Sequence, residues 1–142
     1  MFRMCNRSKA AFQIAFILFA LDRLLKWLAM EGYSLSWVWG ITFRFLANRG
    51  GIFGLSIPYL TFLSSLGIVV LIIYMYRMNF SPGLVFILLG GISNIIDRFV
   101  YGYVIDYIRV PFLPLVGHTY FNLADFMIDI GVVFWLWCML KS

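Results

Sequence analysis

Asp106 and Asp125 are the residues of this 142-residue chain best suited to chemistry. Each stands outside any local charge pair, at the margin of an apolar segment. Carboxylates in or beside hydrocarbon are costly and call for a partner or a job. Two that share one site cannot both ionise freely, so one keeps a proton while the other acts as base. Such a pair activates water against an amide carbonyl with neither metal nor covalent intermediate. The expectation is that Asp106 and Asp125 meet at a membrane surface as an acid/base pair. A local reading competes for Asp125. Asn122 with an acid three residues on is close to a capping box, and an acid in a first turn suits the helix dipole. Capping leaves Asp106, placed among Val, Ile and Tyr, without an account.

The stretch from Gly90 to Asp129 contains four of the six acidic residues and the only histidine, His118. Asn94 and Arg98 are spaced i and i+4, one helical face, with Asp97 beside them. Asp97 and Arg98 read as a structural network, Asp97 pairing with a cation or holding the segment that follows. Asn94 carries both donor and acceptor groups and can contact a bound backbone. Asp22 and Lys26, acid first at i and i+4, are in the favoured orientation for a helical ion pair. They read as a structural clamp, with Arg23 snorkelling to the headgroups. Asp129 lies one turn beyond Asp125, and His118 reads as an interfacial residue. Cys5 and Cys138 have no metal-ligand spacing, so neither metal nor cofactor is expected.

The elements that must position these groups are membrane helices. Hydrophobic residues make up 63% of the chain and charged residues 12%, far from the ~45–50% and ~25% of soluble domains. The mean hydropathy is +0.95. Four apolar runs, about residues 10–30, 59–76, 84–100 and 123–140, each approach the ~20 residues that cross a bilayer core. The first follows Arg3, Arg7 and Lys9 in the manner of a signal peptide, but no small-residue cleavage site follows it, so it reads as an uncleaved span. Between the first two runs, Ile41, Phe43, Phe45 and Ala47 alternate with Thr42, Arg44, Leu46 and Asn48, the period of a strand. Arg49-Gly50-Gly51 supplies a turn, and Ile52–Leu55 can return as a second strand. Tyr103, Ile105 and Tyr107 alternate with Val104, Asp106 and Ile108 in another. Pro111 and Pro114 then break regular structure, and Phe112–Val116 suits an amphipathic flap. The fold class expected is an all-α membrane protein, one domain over 1–142, with four transmembrane helices, a small extracytoplasmic sheet and an interfacial flap.

The net charge of +5 is scattered and gives no basic run for nucleic acid. It reports topology instead. Arg3, Arg7, Lys9, Arg77 and Lys141 would all be cytoplasmic under the positive-inside rule, as would both termini. The two longer connections, and with them the aspartates, then face outwards. Trp37 and Trp39 suit the interface there.

These residues carry a family resemblance over nearly the whole chain. Leu21-Asp22 with Lys26-Trp27 looks like a first motif of the lipoprotein signal peptidases (signal peptidase II). Asn48-Arg49-Gly50-Gly51-Ile52-Phe53-Gly54 resembles that family's Asn-x-Gly-Ala-Ala-Phe strand. Asn94-Ile95-Ile96-Asp97-Arg98 with Gly102-Tyr103-Val104-Ile105-Asp106-Tyr107 is similar to its Asn-x-x-Asp-Arg and Gly-x-Val-x-Asp-Phe block. Phe121-Asn122-Leu123-Ala124-Asp125, then Ile128 and Gly131, is similar to its Phe-Asn-x-Ala-Asp-x-x-Ile-x-x-Gly block. The chain departs from the pattern at Gly51-Ile52 for Ala-Ala, at Ser93 for the Gly before Asn94, and at Tyr107 for Phe. Ser93 and Ile52 add bulk where small residues usually sit, which bears on pocket shape. Asp129 has no counterpart in the pattern.

The resemblance implies a bacterial inner-membrane aspartyl endopeptidase, with Asp106 and Asp125 catalytic and Asn48, Asn94, Arg98 and Asn122 lining the site. It implies cleavage of a prolipoprotein signal peptide just before a diacylglyceryl-modified cysteine, near the outer membrane surface. Membrane lipid and the prolipoprotein are the partners, and a monomer is expected. Two other classes stand beside this reading. A small carrier or proton relay would use Asp22, Asp125 and Asp129 as titrating groups. A non-catalytic binder would hold lipidated peptides without needing both aspartates.

Overall fold

A computed structural model describes residues 8–50, 57–78, 81–112 and 119–141. Helix α1 runs Ser8–Met30, α2 Ile57–Met78, α3 Pro82–Tyr101 and α4 Leu123–Leu140. Strands β1 (Leu35–Ser36), β2 (Thr42–Asn48) and β3 (Val104–Arg109) form an antiparallel sheet in that order, with a short 3₁₀ turn at Val38–Gly40 before β2. The sequence-expected return strand at Ile52–Leu55 and the Leu113–Val116 part of the flap lie outside the described residues. Among the described residues, the partners of β2 are β1 and β3.

Among the described residues, three helices are long and apolar enough to cross a membrane: Tyr59–Arg77, Pro82–Tyr101 and Leu123–Leu140. Helix α1, at 23 residues, is long enough, but its C-terminal half carries Asp22, Arg23 and Lys26. Folding turns these inward: Asp22 and Lys26 are fully buried, in line with Ala15 and Ala29, while Phe16, Ile17, Leu24 and Trp27 face out. A helix with its ions inside and its apolar side chains outside is arranged for a hydrocarbon solvent.

Helix α3 is the centre of the bundle and packs against the other three. Its contact with α4 is close because small residues meet there. A β-carbon added at Gly131 would lie 2.6 Å from the Gly83 carbonyl oxygen, and one at Gly90 would lie 2.6 Å from that of Ala124. Backbones in contact gain dispersion energy that bulkier side chains would prevent. Pro82 starts α3, and Gly102, at φ +78°, ends it with its N–H bonded to the Arg98 carbonyl. The chain then turns directly into β3.

The pairing of β2 with β3 contains a bulge. Phe43 lies opposite Ile108, but Leu46 lies opposite Asp106, so β2 spends one extra residue between them. A bulge re-aims the strand beyond it. Leu46 faces Asp106 across the ladder, so Asn48, two residues on, lies on the same face diagonal to it. After β3 the chain returns at Phe121, which exchanges backbone hydrogen bonds with Ile108 at 2.9 Å each way. That bridge delivers Asn122 and the start of α4 alongside Asp106.

Candidate active site

Both aspartates sit where α3, α4 and the sheet converge, and asparagine amides hold both. Asp106 Oδ2 accepts from Asn48 Nδ2 and Asp106 Oδ1 from Asn122 Nδ2, each at 2.8 Å. Asp125 Oδ1 accepts from Asn94 Nδ2 at 2.8 Å, and its Oδ2 accepts the backbone N–H of Asn122 at 3.2 Å. Asn122 therefore donates to both carboxylates. Its side-chain oxygen accepts the Asp125 N–H at 2.9 Å, so the full capping box is present. The local reading and the site reading of Asn122 and Asp125 hold together: the cap uses Asn122 Oδ1 and Asp125 Oδ2, and the site uses Asn122 Nδ2 on Asp106 and Asp125 Oδ1 on Asn94. The cap is what points one edge of Asp125 back along the axis of α4.

Asp106 is 1% exposed. Burial pushes its carboxyl up to about 6, against the Asn48 hydrogen bond; the Asp125 charge adds to the rise, and Asn122 and Lys26 oppose it. A carboxyl so placed changes protonation near neutral pH, as acid/base work requires. Arg98 is partly buried on α3 within electrostatic reach of Asp125, Asp97 and Asp106. Beside Asp106, a cleft of about 390 Å³ opens between the end of β2 (Leu46 to Gly50) and Thr119-Tyr120. Gly50, at φ +61°, donates its N–H to Asn48 Oδ1 at 2.9 Å, which leaves the Asn48 amide nitrogen to face Asp106. The Tyr120 ring lies under Arg44, 5.5 Å away.

Below the aspartates lies a layer of buried ions. Lys26 Nζ is 3.0 Å from Asp22 Oδ2 and 2.7 Å from Asp97 Oδ2, and it donates to Asn94 Oδ1 at 2.9 Å. Arg23 bonds Asp97 Oδ1, which corrects the expectation that it reaches the headgroups. It also donates to the Ser93 carbonyl at 3.2 Å. A buried carboxylate accepts a guanidinium more favourably than hydrocarbon does. Asp97 in addition accepts the Ile105 N–H at 3.2 Å, so it both pairs with cations and holds β3.

Two residues that sequence reasoning assigned to pocket shape or passed over converge on Asp22. Ser93 Oγ donates to Asp22 Oδ2 at 2.6 Å, and Tyr107 OH donates to Oδ1 at 2.8 Å. Ser93 is absent from the cleft lining; its hydroxyl is used on α1 instead. The Tyr107 hydroxyl also accepts the Leu123 N–H at 3.0 Å, and Asp22 accepts the Ala124 N–H at 3.1 Å, so both satisfy first-turn donors of α4. Burial and the Asp22 charge raise the Tyr107 phenol above its ordinary range, which keeps it a donor. The only signal in the sequence was the presence of hydroxyls at these positions.

The structure thus brings together Asn48, Asn94, Asn122, Asp106 and Asp125, with Arg98 alongside and Asp22–Lys26 beneath. Asp129, one turn on from Asp125, is exposed on α4, and His118 lies outside the described residues. Among the described residues no group of His, Cys, Asp and Glu is arranged for a metal ion.

Residues 14–141 match the family described as Signal peptidase (SPase) II. The lipoprotein signal peptidase of Gloeothece citriformis is 30% identical, over 94% of this chain and 90% of that one. That of Nostoc punctiforme is 33% identical, over 86% and 84%. A bacterial membrane enzyme solved by the in meso method at 1.9 Å resolution shares the fold, with a TM-score of 0.79 at 19% identity, covering 100% of this chain and 99% of that one.

Proposed function

Since the chain belongs to the signal peptidase II family, we propose that it is a membrane aspartyl endopeptidase acting on prolipoproteins. It removes the signal peptide on the N-terminal side of a diacylglyceryl-modified cysteine, with Asp106 and Asp125 as the catalytic pair. The observation that carries this reading is that Asn122 donates to both carboxylates, the side chain to Asp106 and the backbone to Asp125. One residue anchoring both carboxylates holds them at one site, where the Asp125 charge adds to the rise of the Asp106 carboxyl, the arrangement that general acid/base attack by water needs.

In this mechanism one carboxylate takes a proton from water as the water oxygen bonds to the scissile carbonyl carbon. The other, protonated at the start, donates to the carbonyl oxygen. The tetrahedral species collapses with cleavage of the C–N bond, the proton gained from water passes to the departing nitrogen, and the acid recovers the carbonyl proton. Asn48, Asn94 and Asn122 keep both carboxylates in place through the cycle, and Arg98 supplies positive charge beside them.

Four spans are proposed, with α1 as the fourth because its ions are internal. Both termini are then cytoplasmic and the aspartates lie near the outer surface of the bacterial inner membrane. The chain acts as a single-domain monomer. The exposed Asp129 weighs against a relay that would need it in line with Asp22 and Asp125. Purified protein incubated with a prolipoprotein should release its signal peptide only when the cysteine carries diacylglyceryl. Equal release from the unmodified precursor would remove the lipid from the specificity, and no release from either would remove the enzyme reading.

A further inference from the structure

We propose that Lys26 is a positioning residue for the aspartate pair, acting by fixing which end of the Asn94 amide faces Asp125. The inference rests on the endopeptidase reading above.

Lys26 is fully buried, and an ammonium group has three donors and no acceptor. Its three short contacts are to Asp22 Oδ2 at 3.0 Å, Asp97 Oδ2 at 2.7 Å and Asn94 Oδ1 at 2.9 Å, with Ser93 Oγ farther off at 3.4 Å. Two of the three are carboxylates that compensate its charge; the third is a neutral amide that belongs to the site. Because Lys26 can only donate, the Asn94 atom that meets it must be oxygen. The nitrogen is then turned to Asp125, 2.8 Å away. The same oxygen also accepts from Asn122 Nδ2 at 3.1 Å. A flipped Asn94 would set its NH₂ against the ammonium and the Asn122 NH₂, and its oxygen against a carboxylate. All three contacts would become repulsive together.

Lys26 is itself held from several elements. Asp22 is fixed by Ser93, Tyr107 and the Ala124 N–H. Asp97 is fixed by Arg23 and the Ile105 N–H. No described hydrogen bond or ion pair runs from Lys26 to either catalytic carboxylate. The hydrogen-bonded route from Lys26 to Asp125 passes through Asn94, and through the shared oxygen it also biases Asn122, which donates to Asp106; separately, the Lys26 charge opposes the rise of the Asp106 carboxyl.

The test is a double-mutant cycle on purified protein with a diacylglyceryl-modified prolipoprotein, reading kcat, KM and thermal melting. The variants are Lys26→Met, Asn94→Ala and the two combined. Misorienting one catalytic group costs roughly tenfold or more in rate. Lys26→Met should therefore lower kcat of the folded protein by at least that factor with KM little changed. Adding it to Asn94→Ala should lower kcat no further. A purely structural role, or an effect carried mainly by the Lys26 charge on the aspartates, would instead make the losses multiply. Multiplying losses, or kcat retained in folded Lys26→Met, overturns the proposal. If Lys26→Met does not fold, the charge-balanced Asp22→Asn/Lys26→Met pair is compared with Asp22→Asn in the same cycle. Failure of that pair to fold assigns Lys26 to the fold alone and also overturns it. An Asp106→Asn control that cleaves like the parent would show that the aspartate-pair mechanism has failed, and the proposal falls with it.

Discussion

Asn122 Nδ2 donates to Asp106 Oδ1 at 2.8 Å across the seam between α4 and the sheet. The same residue caps α4 and gives its backbone N–H to Asp125. The two duties can be separated, because aspartate is as good an N-cap as asparagine but cannot donate from its side chain. Asn122→Asp should keep the cap but lower the melting temperature, because it sets a buried carboxylate against Asp106 Oδ1, the Ile105 carbonyl and Asn94 Oδ1. It should remove nearly all cleavage. A third carboxylate beside Asp106 should also move the surviving pH–rate profile to higher pH. Thermal melting and initial rates on one preparation check both outcomes.

The raised Asp106 carboxyl predicts a stability effect with a definite sign. Its folded value of about 6 lies above its ordinary 3.8, so the folded state holds this proton more tightly than the unfolded state. The stability this contributes is complete below about pH 4 and is lost as pH rises through about 6. At about 1.4 kcal/mol per unit, the loss is on the order of 3 kcal/mol. Asp106→Asn lacks this dependence. Its melting temperature relative to the parent should therefore be higher at pH 7 than at pH 4.5, and a difference that does not change with pH would count against the buried, titrating carboxyl.

How much of this was legible beforehand differs between helices and contacts. The four apolar runs became α1 to α4 with ends moved by about one turn or less, because helix ends follow local signals such as Pro82, Asn122 and Gly102. The capping box was also legible, since both partners lie within one turn. Contacts between helices were not. Nothing local to Arg23 points to Asp97, and nothing local to Ser93 or Tyr107 points to Asp22. The bulge in β2 escaped the alternation pattern for a related reason. Its position follows from where Asn48 must lie against Asp106, which β2 alone does not contain.

The hydroxyl of Tyr107 links the buried ions to the helix that carries Asp125. Tyr107→Phe would leave the Leu123 N–H without its acceptor and remove one donor from Asp22. An unsatisfied buried polar group costs about 1–3 kcal/mol. Melting should fall accordingly, and kcat per folded molecule should change less than stability does. Unaltered melting would show that both groups find other partners.

The α3–α4 contact admits no side chain at Gly131. A β-carbon there would lie 2.6 Å from the Gly83 carbonyl and 2.9 Å from the Ile87 nitrogen, both backbone atoms that cannot swing aside. Overpacking of this kind costs typically about 1–3 kcal/mol. Gly131→Ala should lower the melting temperature, and Gly131→Val should lower it further. Wild-type melting in Gly131→Val would mean that the two helices are not in backbone contact.

The central claim is that Asp106 and Asp125 act as one unit on water. The direct measurement is signal-peptide release from a diacylglyceryl-modified prolipoprotein by Asp106→Asn, Asp125→Asn and the double variant, each normalised to folded protein. Asparagine matches aspartate in size but serves neither as acid nor as base, so each single change should abolish cleavage. The double variant should be little worse than either, because members of a catalytic unit are not additive. Release retained by either single variant would contradict the account.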